Sequence, residues 1–71
     1  MFVNYIIRFI HSDSSEIEEQ GFTTAKEAWE VFRLFAEPDS ADIYSRVELA
    51  EYSRVLQAER TLAALEFRQG V

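Results

Sequence analysis

Ile43-Tyr44-Ser45-Arg46-Val47-Glu48-Leu49-Ala50-Glu51-Tyr52-Ser53-Arg54-Val55-Leu56-Gln57-Ala58-Glu59-Arg60-Thr61-Leu62-Ala63-Ala64-Leu65-Glu66-Phe67 supports two readings, and the fold turns on which is taken. Read with period 2, residues 43–53 form a strand with Val47 and Leu49 inward, residues 54–60 a turn, and residues 61–67 a second strand with Ala63, Leu65 and Phe67 inward. Read with period 3.6, Val55, Ala58, Leu62 and Leu65 make an apolar stripe among good helix formers. Upstream, however, the helical stripe breaks on Glu48, Glu51 and Arg54. The proposed turn lacks the glycine that usually marks a hairpin.

Strand 1 tips the balance toward the hairpin. In Phe2-Val3-Asn4-Tyr5-Ile6-Ile7-Arg8-Phe9-Ile10, Val3, Tyr5, Ile7 and Phe9 share one face. Phe2, Ile6 and Ile10 share the other, interrupted by Asn4 and Arg8. A strand apolar on both faces needs cover on both, and a two-stranded sheet would leave it bare. The expected fold is therefore α+β in the order ββαββ: a small, mostly antiparallel four-stranded sheet with one helix on one face. The alternative is ββαα, with a C-terminal helix.

The helix is the clearest element. Thr24 and Glu27 match a capping box, in which two side chains satisfy free N–H groups of the first turn. Ala25, Ala28, Trp29, Phe32, Phe35 and Ala36 follow the spacing of a buried stripe, which makes Trp29 the expected centre of the helix–sheet contact. Pro38 blocks continuation, so the helix should span residues 25–37. Before it, His11-Ser12-Asp13-Ser14-Ser15 reads as a turn and residues 16–22 as an exposed edge strand.

Seventy-one residues imply one domain, 1–71, near the lower size limit for folding without staples. With 48% hydrophobic residues and six Phe, a core is within reach. The chain has no Cys, which excludes disulfides and thiolate metal sites and fits a reducing, cytoplasmic setting. No apolar run approaches a membrane span, and the N-terminal run lacks the basic start and cleavage site of a signal peptide. A net charge of −6 with scattered basic residues argues against direct nucleic-acid binding. Six of the seven basic residues are Arg, a bias the sequence does not explain.

Nothing in the chain reads as a catalytic, cofactor or metal motif. His11 is the single histidine and sits in a polar turn, without a second histidine or a spaced set of aspartates. The nucleophile, base and orienting group that catalysis needs are missing, so a non-enzymatic role without cofactor or small-molecule substrate is expected. Two surfaces stand out instead. One is the sheet face away from the helix, expected to carry Phe2, Ile6, Arg8, Ile10, Arg46, Glu48, Ala50, Tyr52 and Leu62, with Tyr44 and Ala64 beside them. Tyr and Arg suit interface centres. The other is an acidic rim of Asp13, Glu16, Glu18 and Glu19 in one cluster and Glu37, Asp39 and Asp42 in a second. The expected function is a small acidic interaction module, of inhibitor or accessory type, acting on a protein partner through the open face and the rim. The alternatives are a homodimer paired through that face, with Arg8 and Arg46 meeting Glu48 and Glu66 across the two-fold, and a mimic of nucleic-acid phosphates.

Overall fold

The computed structural model describes residues 4–14, 16–36 and 43–67. The order is β1 (Tyr5–His11), β2 (Ile17–Phe22), α1 (Ala25–Leu34), β3 (Tyr44–Ser53) and β4 (Ala58–Glu66). The four strands form one antiparallel sheet in the order β2-β1-β3-β4, with α1 on one face. The hairpin reading of residues 43–67 holds, and ββαα falls.

Alternation along β1 and β3 builds the core. Ile7, Val47 and Leu49 are fully buried, Phe9 is nearly so, and Phe22, Ala28 and Phe32 close over them. Each large side chain so buried contributes about 1.5–3 kcal/mol by leaving water. The register Ile7↔Leu49 and Phe9↔Val47 fixes which set faces the helix, since a one-residue slip would reverse both faces.

Thr24 caps α1 in an extended conformation, and its Oγ1 accepts from the Glu27 N–H at 3.3 Å. Ala28 is fully buried because only a side chain that small lets the helix lie close on the sheet. Trp29 is half-buried, so the centre of the helix–sheet contact is Phe32, one turn further on. The helix is shorter than expected. Regular structure ends at Leu34, and a tightened last turn closes with Phe35 N–H to Phe32 O and Ala36 N–H to Arg33 O.

Three local features depart from simple alternation. The β3–β4 turn occupies residues 54–57, not 54–60, and β4 starts at Ala58. Gln57 takes the left-handed position (φ 50°) that glycine usually fills, and the Ser53 Oγ accepts from the Leu56 N–H. Val55 and Leu56 stand exposed at the tip. A bulge in β3 sets His11 opposite Tyr44 and skips Ser45, whose Oγ donates to the Ile10 carbonyl. Tyr44 is thereby turned to the helix side, where its ring meets Phe9 (5.2 Å) and Phe35 (5.8 Å) instead of the outer face. In β4 the pairing jumps from Leu49↔Ala63 to Ala50↔Thr61, leaving Leu62 as the extra residue, packed against the core. Leu62 therefore leaves the set expected on the outer face.

Two stability outcomes follow. Phe32→Ala should cost about 3–5 kcal/mol and exceed the loss from Trp29→Ala in urea denaturation, because its cavity lies wholly inside the core. Gln57→Gly should raise stability by up to about 1 kcal/mol by relieving the left-handed strain, read as a higher urea midpoint with an unchanged slope.

Candidate interaction surface

The sheet face opposite α1 is held by two arginines, each gripping carboxylates from different parts of the sheet. Arg8, on β1, donates from Nε to Glu19 of β2 at 2.6 Å. Its Nη1 and Nη2 form a forked pair with Glu59 of β4, the former at 2.6 Å. One guanidinium thus ties the two edge strands together across β1 and β3. Arg46, on β3, donates from Nε to Glu48 at 2.7 Å and from Nη1 to Glu66 of β4. The planar guanidinium presents its donors in separate directions, which suits one cation to two carboxylates.

Register explains a burial that composition does not. Arg8 stands opposite Glu48, and Glu59 stands opposite Tyr52, so the line joining Arg8 to Glu59 crosses β3 at Ala50. Ala50 is only 1% exposed although no described element covers that face. The fork from Arg8 to Glu59 spans this position, and long cationic side chains shield apolar surface with their stems. A larger residue at position 50 would stand in the path of the clasp.

Around these pairs lie Ile6, Ile10, Tyr52 and the exposed Ile17 and Ala64. Ile17 stands opposite Ile10 and was not foreseen as part of the face; its pairing with an outward residue of β1 is the signal. Glu59 was missed as well, having been assigned to the turn. Of the expected set, Ile6, Arg8, Ile10, Arg46, Glu48, Ala50 and Tyr52 alternate onto this side, and Phe2 lies outside the described residues. The ion pairs expected between two copies form within one chain: Arg46 meets Glu48 and Glu66, and Arg8 meets Glu19 and Glu59.

The acidic rim is divided. Asp13 and Glu16 are exposed at the β1–β2 turn, where the Ser14 Oγ accepts from the Glu16 N–H. Glu19 faces the outer side with Arg8, whereas Glu18 bonds the His11 Nε2 at 2.9 Å. Glu37, Asp39 and Asp42 lie outside the described residues. His11 is held between Glu18 and the Tyr44 ring, 5.1 Å away. Among the described residues no group of three or more His, Cys, Asp or Glu side chains has the arrangement to hold a metal ion. No described helix is long and apolar enough to cross a membrane.

The electrostatics of the face follow from its hydrogen bonds. The forked bond to Glu59 raises the Arg8 pKa above its ordinary value, against the opposing effect of burial. Arg46 is raised chiefly by its bond to Glu48. Glu59 is lowered below its ordinary 4.5 by the bond from Arg8. Comparisons with protein-family models, curated proteins and solved structures return no match.

A depressed carboxyl stabilises the fold at pH values above its unfolded pKa, and that contribution is lost as pH falls through the lower folded value. Glu59 is solvent-accessible, so its pair with Arg8 belongs in the screened range of roughly 0.2–1 kcal/mol. Glu59→Gln should lower Tm at pH 7, and the gap from the parent should close as pH is taken below about 4. A gap unchanged between pH 7 and pH 3 would show that the clasp does not stabilise the fold.

Proposed function

We propose that the protein is a non-enzymatic interaction module whose outer sheet face docks a protein partner that presents basic side chains. One observation carries this reading. Four carboxylates of the face, Glu19, Glu48, Glu59 and Glu66, share the two guanidiniums of Arg8 and Arg46, leaving a surplus of two negative charges among apolar residues. Both arginines are already engaged within the chain. A partner's Lys or Arg would find carboxylate oxygens with lone pairs to spare, while Ile6, Ile10, Ile17 and Tyr52 supply the apolar centre. Two copies laid face to face would instead bring like charges together, which disfavours pairing of this face with itself.

Such a surface steers encounter through charge and holds through burial, so binding should weaken steeply as salt rises. The test is affinity capture from the native host, run in parallel with the parent and with Ile6→Glu. Ile6 lies on the face away from the helix, and the substitution should leave far-UV circular dichroism unchanged. The expected result is a partner retained by the parent at low salt, released by salt, and not retained by Ile6→Glu. Equal capture by both proteins would remove the outer face from the interaction.

A further inference from the structure

The two edges of the sheet differ. β2 is short, exposed over five of its six residues, and carries Glu18 and Glu19 with Glu16 just before it, the charged guard expected of an edge left in water. β4 is nine residues long and has no proline. Its first half is guarded by Glu59, Arg60 and the bulge at Leu62. Its second half with the residue that follows, Ala63 to Phe67, has neither bulge nor lysine, and its one charge, Glu66, is paired within the chain to Arg46. Among the described residues nothing pairs with the outer edge of this half, and no Cα atom of α1 comes within 8 Å of one in β4. Ala63, Leu65 and Phe67 therefore form a half-buried apolar shelf beside the helix, against the flank of the core.

We propose that this half of β4 pairs antiparallel with the same segment of a second copy, joining two sheets into one of eight strands about a two-fold axis at Leu65. The register follows from the backbone. Phe67 donates its N–H to the Ser45 carbonyl at 3.0 Å, so by alternation Ala63, Leu65 and Phe67 bond toward β3. The N–H and C=O groups of Ala64 and Glu66 point to the open edge. An antiparallel partner must bond through those two residues. Pairing Glu66 with itself sets like charges directly opposite, and pairing Ala64 with itself runs the ladder into the bulge at Leu62. Pairing Ala64 with Glu66 of the second copy avoids both.

That register is also complementary in shape. On the helix side Leu65 meets its own mate at the axis, where non-hydrogen-bonded residues approach closest. Small Ala63 stands opposite large Phe67, on each side of it. On the outer side each Glu66 faces an alanine and keeps its bond to Arg46. The dimer uses a different surface from the proposed docking face and does not rest on it. It would align two acidic faces side by side, so that a partner with two basic segments could engage both.

Ala64→Pro removes an N–H that points to the open edge, so it should spare the β3–β4 ladder and delete two bonds of the dimer. Ala64→Asp keeps the N–H but sets a carboxylate opposite Glu66 of the mate. Sedimentation at high micromolar concentration should give the parent twice the 8.3 kDa chain mass and both variants the single mass, with unchanged far-UV circular dichroism. If Ala64→Pro loses its fold, Ala64→Asp decides alone. A monomeric parent overturns the proposal, as does a dimer that persists in a folded variant. A dimer lost in Ile6→Glu but kept in both position-64 variants would move the interface to the outer face and overturn it equally.

Discussion

A single ten-residue helix has to cover a four-stranded sheet, and most of the molecule follows from that shortage. The helix backbone lies over β1, β2 and β3, and β4 lies further from it, beyond 8 Å between Cα atoms. Its small buried Ala28 brings it close enough for Phe32 to seal the core over Ile7 and Leu49. The opposite face receives no layer at all from the described residues. It is stabilised instead by its own side chains, through charged bridges laid over short residues. The fold thus has one hydrophobic side built by packing and one amphipathic side built by ion pairs. The second is the side with chemistry left to offer.

The element order was legible because alternation in β1 and β3 is strong and because the helix opens on a capping residue, Thr24. Val47, Leu49, Ala63, Leu65 and Phe67 face the core as their period-2 spacing indicates. What the sequence hid was parity. A bulge adds a residue without changing composition, so nothing in the residue types marks Ser45 or Leu62 as the place where the faces exchange. Tyr44 and Leu62 were misplaced for that reason alone. The turn was drawn too long because Gln57 occupies a left-handed position that glycine normally announces. Placing Glu59 in that turn concealed the most extended contact on the candidate face. The open face itself was legible from strand 1, whose second apolar set is covered by no other element among the described residues.

The excess of arginine over lysine also finds a local reason. Arg8 and Arg46 each hold two carboxylates with donors that leave the guanidinium plane edge in different directions. An ammonium is a compact point charge and would hold them without that geometry. Arg60 of β4 makes a further pair with Glu51 of β3 at 3.3 Å, across the hairpin.

The clasp made by Arg8 has a kinetic consequence. Its two carboxylates lie 11 and 51 residues away along the chain, one in each hairpin. The β1–β2 and β3–β4 turns close short loops, whereas joining β1 to β3 brings together residues as distant as Ile7 and Leu49. The fork to Glu59 needs that docking to be complete, whereas the bond to Glu19 lies within the first hairpin. If that docking limits folding, the fork is absent from the limiting state and acts as a latch on the finished sheet: weakening it should speed unfolding while leaving the folding rate nearly untouched. A domain of this size would then gain residence time in its folded form from a contact that plays little part in finding it.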